Sequence, residues 1–158
     1  MTLRFDGKVA IVTGAGVGIG RSYALLLASR GAKVLVNDIG CNVKGEGSDK
    51  SVADAVVAEI KKAGGVAVAN YDSAEHGEKV VKACLDAFGT VDIIINNAGI
   101  LRDLSFQKMT QEDWDLIYRY HTLCTYSVTK AAWDILLEKR YGRIINTSST
   151  AGLFGSFG

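Results

Sequence analysis

Thr13-Gly14-Ala15-Gly16-Val17-Gly18-Ile19-Gly20 decides the fold. The run Val9-Ala10-Ile11-Val12 before it reads as a buried strand, and the stretch from Ile19 to Arg30 after it reads as a helix closed by Gly31. A glycine-rich turn between strand and helix serves three purposes: a tight reversal, close approach of backbone to a pyrophosphate, and close packing of the helix on the strand. Gly14, Gly18 and Gly20 are assigned those roles, with Thr13 and Ile19 flanking them. The helix N-terminus near Ile19 offers free N–H groups and a positive dipole to phosphate oxygens.

Outward from this unit, short β-branched runs alternate with helical stretches, the pattern of a parallel sheet with crossover helices. Strands are expected at 9–12, 34–37, 66–69, 91–96 and 143–147, each nearly all apolar, as when both faces are covered. Helices are expected at 19–30, 51–63, 75–88 and 111–139. The last opens with a cap at Thr110 and carries Trp114, Ile117, His121, Val128 and Ile135 near one face. The fold class is α/β, a Rossmann-like doubly wound parallel sheet of strand order 3-2-1-4-5, in one domain spanning 1–158. The segment 39–50, rich in Gly, Asn and Lys, is the one long polar loop.

Asp38 stands at the end of the second strand, after Val34-Leu35-Val36-Asn37, where an acid can accept hydrogen bonds from both hydroxyls of an adenosine ribose. It also selects the cofactor. At ~4 Å and an effective dielectric near ~20, its charge repels each unit of charge on a 2′-phosphate by about 4 kcal/mol before screening. Half of that disfavours NADP by more than about tenfold, so NAD is expected. Arg21 could clamp a 2′-phosphate, but on the first turn of an exposed helix it reads as solvated. Asp72 and Ser73 follow the third strand where the adenine would lie, and an N-cap for the next helix is an equal reading of that pair.

Composition narrows the partners. The 158 residues are 48% hydrophobic and 22% charged, enough for one domain with a core, and 18 Lys+Arg against 17 Asp+Glu are scattered rather than blocked. Nothing here points to nucleic acid, and a small-molecule partner is expected. Cys41, Cys84 and Cys124 are far apart without C-x-x-C spacing, which argues against a disulfide framework or a metal site. No apolar run has the length of a membrane span, and neither an N-terminal h-region nor an S-K-L ending is present. Proline is absent.

With Asn96-Asn97-Ala98-Gly99 added to the glycine loop and Asp38, the chain resembles the short-chain dehydrogenase/reductase family over its whole length. Within that family it is similar to the (3R)-hydroxyacyl-CoA dehydrogenase branch of the peroxisomal multifunctional enzymes. Leu3-Arg4-Phe5-Asp6-Gly7, Asn37-Asp38-Ile39-Gly40, Ala69-Asn70-Tyr71-Asp72-Ser73, Gly99-Ile100-Leu101-Arg102-Asp103, Asp113-Trp114-Asp115 and Tyr141-Gly142-Arg143-Ile144-Ile145 carry this narrower likeness. The resemblance implies that Asn96, Ala98 and Gly99 lie beside the cofactor ribose. It implies a catalytic Ser149 in Thr147-Ser148-Ser149-Thr150-Ala151-Gly152, whose hydroxyl would hydrogen-bond the substrate oxygen. It also places His121 where most members carry an active-site Asn, with a proton-relay role and a satisfied core histidine as the two readings.

The family's general acid/base is the Tyr of a Y-x-x-x-K motif, with the Lys lowering its pKa, and that motif is expected after Ser149. The 158 residues hold one such spacing, Tyr126-Ser127-Val128-Thr129-Lys130, ahead of Ser149. At ~100° per residue, Tyr126 and Lys130 lie about 140° and about 180° around a helix from His121, so they are read as surface or interface residues. The expectation is therefore an N-terminal portion of a larger dehydrogenase that binds NAD without efficient turnover, its fifth strand an exposed apolar edge. The resemblance further implies an acyl-CoA substrate, a homodimer for the complete protein, and a peroxisomal location, cytoplasmic otherwise. A non-catalytic NAD-binding module and a dehydrogenase of steroids or other secondary alcohols are the alternatives.

Overall fold

The computed structural model describes residues 3–156. Five parallel strands, β1 (Val9–Thr13), β2 (Lys33–Asn37), β3 (Val66–Asn70), β4 (Ile93–Asn96) and β5 (Arg143–Asn146), form one sheet in the order β3-β2-β1-β4-β5. This is the expected doubly wound order. The register pairs Val9 with Lys33 and Ala10 with Ile93, so the C-terminal ends of β1, β2 and β4 lie side by side.

Strand alternation divides the core into two layers. Ala10, Val12, Val34 and Val36 face α1 (Gly18–Ser29) and α2 (Ser51–Lys62), packing with Ala24, Leu27, Val56 and Ile60. Val9, Ile11, Leu35 and Ile94 face the other way, against Val80 and Cys84 of α3 (Gly77–Phe88) and Val128, Ala132 and Leu136 of α5 (Cys124–Glu138). Coverage of both faces explains why β1 and β4 are apolar at nearly every position. β5 departs from that rule: it is one of the two edge strands, and Ile145 is 49% exposed.

At the N-terminal edge of the sheet, one buried carboxylate ties three elements together. Asp92 accepts the N–H of Val9 at 2.9 Å and the ammonium of Lys139 at 2.5 Å, and its carbonyl accepts the N–H of Arg143. Lys139 is the residue that closes α5.

The long helix expected at 111–139 is three segments. α4 (Gln111–Ile117) starts with the expected cap: Thr110 Oγ1 accepts the N–H of Asp113, whose carboxylate accepts the N–H of Thr110 in return. A π-helical turn over Tyr118–Leu123 follows, in which the N–H of Cys124 reaches back to the carbonyl of Arg119, and α5 continues from it. The wider turn shifts the helical phase, so Trp114 does not share a buried face with Val128; it is 59% exposed. α3 begins at Gly77 rather than at 75, because the Gly77 N–H bonds Ser127 Oγ where α3 crosses α5. A short 3₁₀ turn, Phe106–Lys108, and a terminal α6 (Thr150–Phe154) complete the described residues. No helix among them is long and apolar enough to cross a membrane.

Candidate functional site

The strand order reverses direction at β1, and ligands in open α/β sheets bind in the crevice at the carboxyl ends of the strands there. A cleft of about 460 Å³ occupies that position. Its walls come from the glycine loop after β1, the 39–50 loop after β2, the loop after β4, and the π turn of the long helix.

The glycine loop is shaped by steric exclusion. A Cβ on Gly14 would lie 2.8 Å from Cα of Ala98, and one on Gly20 would overlap the carbonyl oxygen of Gly14. Gly18 has φ +56° and open space where its Cβ would be, facing the cleft. No side chain caps α1, so the N–H groups of its first turn remain available to an anion. Thr13 is a strut rather than a wall: its Oγ1 accepts the N–H of Asn97 at 3.0 Å and of Ala98 at 3.1 Å, joining β1 to the loop after β4. Ile19 lies on the cleft wall and is exposed.

Asp38 is held from two sides. Oδ2 accepts the Gly16 N–H at 2.8 Å and Oδ1 accepts the Gly40 N–H at 2.7 Å. Each oxygen keeps a further lone pair for a hydroxyl. Arg21 is paired with Glu59 of α2 at 2.5 Å and does not reach into the cleft wall.

Asp72 turns toward β3, accepting the amide of Asn70 at 2.8 Å, while its carbonyl accepts the amide of Asn37. The helix-capping alternative for the Asp72-Ser73 pair is overturned, because α3 starts at Gly77 with His76 at the cap. Ser73 remains on the cleft wall, its Oγ accepting the Glu75 N–H.

Of the residues expected at the cofactor ribose, Ala98 and Gly99 line the cleft and Asn96 does not. Asn96 is 5% exposed and donates its amide to Thr129 Oγ1 and Asn146 Oδ1, linking β4 to α5 and β5. Its neighbour Asn97 takes the cleft position, donating from Nδ2 to the carbonyls of Thr13 and Gly14 at 3.1 Å each. Strand alternation carries the signal: two successive asparagines at the end of β4 point to opposite sides, and one must leave the cleft.

His121 faces the cleft from the π turn. Its Nε2 lies 2.9 Å from the Ile100 carbonyl and 3.2 Å from the Ile100 N–H. The tautomer decides which contact is a hydrogen bond: a protonated Nε2 donates to the carbonyl, and an unprotonated one accepts the N–H. A Cβ on Gly99 would lie 2.5 Å from Cε1 of that ring, so glycine there makes room for the imidazole. Tyr126 and Lys130 are exposed on α5 and do not line the cleft.

Ser149 caps α6, its Oγ accepting the Ala151 N–H at 3.1 Å, and is exposed; Thr147 of the same segment reaches the cleft wall. Cys41, Tyr120 and Cys124 also line the cleft and were not singled out by pattern. Burial pushes the Cys124 thiol up to about 12, and burial with the nearby Asp38 charge raises that of Cys41. Burial raises the Tyr120 phenol too. No group of three or more His, Cys, Asp and Glu among the described residues is placed to hold a metal ion.

The family model for short chain dehydrogenase matches residues 8–158. The chain belongs to the short chain dehydrogenase family. It is 62% identical over its whole length to peroxisomal multifunctional enzyme A of Dictyostelium discoideum, of which it covers 36%. It is 58% identical over 99% of its length to peroxisomal multifunctional enzyme type 2 of Mus musculus, of which it covers 21%. This short chain dehydrogenase thus spans about a third or less of those relatives. A 7α-hydroxysteroid dehydrogenase complexed with NADH and 7-oxo glycochenodeoxycholic acid superposes with a TM-score of 0.87 at 29% identity, covering 98% of this chain and 58% of that one.

Proposed function

We propose that residues 1–158 act as one NAD-binding domain of an enzyme that oxidises a 3-hydroxyacyl-CoA to a 3-ketoacyl-CoA in peroxisomal fatty-acid β-oxidation. The observation that carries the cofactor half is the carboxylate of Asp38, fixed by Gly16 and Gly40 at the mouth of an uncapped helix N-terminus. The residues present fit a dinucleotide. The open space at Gly18 admits a pyrophosphate, Asp38 keeps lone pairs for two ribose hydroxyls, and Ser73, Ala98 and Gly99 wall the rest. NAD, when bound, supplies a hydride acceptor.

The chain's own groups bind and orient. The first turn of α1 binds the pyrophosphate by its N–H groups. Asp38 orients the ribose and rejects a 2′-phosphate by charge. Ser149 is assigned the hydrogen bond to the substrate oxygen and His121 a relay of the released proton, while the base that takes the substrate's hydroxyl proton is the Tyr of the Y-x-x-x-K motif, which these residues do not hold after Ser149. Asp72, Thr13 and Asn96 support the cleft from behind through their hydrogen bonds to Asn70, Asn97 and Asn146.

The substrate class rests on the likeness to the Dictyostelium and mouse peroxisomal enzymes, and the location rests on the same likeness. The test is NADH formation from NAD and a (3R)-3-hydroxyacyl-CoA by the purified protein, with binding of NAD followed in parallel by calorimetry. NAD binding without efficient NADH formation supports the reading, because these residues hold no Y-x-x-x-K after Ser149. Turnover comparable to that of an intact dehydrogenase overturns it, and NAD binding with no affinity for the acyl-CoA leaves a cofactor-binding module. Turnover of a hydroxysteroid in place of the acyl-CoA favours the chemistry of the 29%-identical neighbour.

The assembled enzyme is a homodimer in this reading. Tyr126, Trp133 and Leu137 are 62%, 49% and 65% exposed along one stripe of α5, a surface of the kind a partner helix covers. Leu137→Glu is expected to shift the sedimentation of the protein to monomer.

A further inference from the structure

The 39–50 loop connects the two ends of the cleft. At one end, the Gly40 N–H donates to Asp38. Further along, the Val43 carbonyl accepts the N–H of Leu101 at 2.8 Å. Leu101 follows Ile100, whose carbonyl holds the His121 ring. Gly45, with φ +82°, sits on the same two elements: a Cβ there would lie 3.3 Å from the Ile100 side chain and 3.7 Å from the Tyr120 ring. The chain of contacts from Asp38 to His121 therefore runs along one strap without a gap.

The strap is shaped by Asn42. Its Oδ1 accepts the N–H of Lys44 at 2.9 Å and of Glu46 at 3.1 Å, and its Nδ2 donates to the Glu46 carboxylate at 3.1 Å. Its backbone N–H bonds the Glu46 carbonyl, and its carbonyl accepts the Gly45 N–H. These bonds close a turn over 42–46 that presents the Val43 carbonyl to Leu101 and lays Gly45 on Ile100 and Tyr120. An exposed polar loop of this length would otherwise sample many conformations.

We propose that Asn42 is a positioning residue: by closing the 42–46 turn against Ile100 and Leu101, it couples occupancy of the Asp38 end of the cleft to the orientation of the His121 ring. A ligand hydrogen-bonded to Asp38 shares the carboxylate that already holds Gly40 at the start of the strap, and the strap, through Val43, holds the Leu101 N–H, whose peptide unit carries the carbonyl that contacts the imidazole. Coupling of this kind needs a shared element whose arrangement both ends bias, and the strap is that element. The inference rests on the cofactor and His121 readings above.

The test uses adenosine 5′-monophosphate, which carries the adenosine end of the cofactor and lacks the nicotinamide half, so its effect on His121 is indirect. The protein has two histidines, and His76→Gln removes the other ring from the spectrum. At concentrations that saturate the Gly18 amide shift, AMP is expected to move the ring signals of His121. Asn42→Ala is expected to abolish that response while the Gly18 shift persists. The pair Asn42→Asp with Glu46→Gln keeps two acceptor bonds from the new carboxylate and reverses the third, and is expected to restore it. An equal His121 response in all variants, or none in the wild type with AMP bound, overturns the coupling alone. Absence of any AMP or NAD response at Gly14, Gly18 and Gly20 overturns the coupling together with the cofactor reading.

Discussion

The Gly16 N–H donates to Oδ2 of Asp38 at 2.8 Å, so the loop after β1 and the acid after β2 are joined as one surface in the protein itself. The acid is thus pre-oriented, and the entropy of ordering it is met during folding rather than on binding. A Cβ on Gly16 would lie 2.9 Å from that oxygen and 2.8 Å from Cγ2 of Val52. Gly16→Ala is therefore expected to swing the carboxylate away and to weaken NAD binding by roughly tenfold, about the worth of one hydrogen bond to a charged group. Calorimetry on both proteins measures it; unchanged affinity would show that the Gly16 contact is incidental.

Gly99 and His121 make a second such pair. Because a Cβ on Gly99 would sit 2.5 Å from Cε1 of the ring, Gly99→Ala is expected to displace the imidazole from the Ile100 carbonyl. The ring 15N shifts should move away from their wild-type values. Unchanged shifts in the variant would mean that the backbone, not the ring, gives way.

Stability at the opposite edge of the sheet depends on Asp92 and Lys139. The Asp92 side chain is 3% exposed, and Lys139 supplies its cation at 2.5 Å. Lys139→Ala leaves a buried carboxylate with one N–H donor, at an expected cost of roughly 2–4 kcal/mol, discounted from a fully buried pair because the lysine is partly exposed. Urea denaturation should show the midpoint falling with the slope unchanged. A loss below about 0.5 kcal/mol, the scale of a surface substitution, would contradict the network.

The thiols give a pH signature. Burial, and the nearby Asp92 charge to a lesser degree, push Cys84 from an ordinary 9.0 up to about 12. The folded state holds this proton more tightly than the unfolded chain, so the contribution is fully present below pH 9 and is lost as pH rises toward 12. In that window the Cys84 contribution should fall by about 1.4 kcal/mol per pH unit. Iodoacetamide at pH 8 should label Cys41 slowly, and Cys84 and Cys124 only after denaturation. NAD should protect Cys41, which lines the cleft.

The sheet was readable because its information is local. Runs such as Val34-Leu35-Val36 and Ile93-Ile94-Ile95 are apolar on both faces, and Gly31 and Gly89 stop the helices before β2 and β4. Asp38 and the glycine loop were readable for the same reason, being fixed at strand ends. The π turn at Tyr118–Leu123 was not, since one wider turn leaves no mark on a 3.6-residue pattern, and Trp114 was assigned to the wrong face in consequence. Asn96 was misplaced because the motif names two asparagines while only tertiary packing on Thr129 and Asn146 decides which one turns inward. The strap is a product of long-range contacts between 42–46 and 100–101, which no spacing within either segment encodes.

In the proposed function Asp38 holds NAD in this cleft and rejects NADP by charge. Titration calorimetry of the protein with each dinucleotide, repeated on Asp38→Ala, tests it most directly. NAD is expected to bind at least about tenfold more tightly than NADP, and Asp38→Ala to remove most of the difference by weakening NAD and relieving repulsion of the 2′-phosphate. Equal affinities in the wild-type protein, or a preference for NAD untouched by Asp38→Ala, would contradict it.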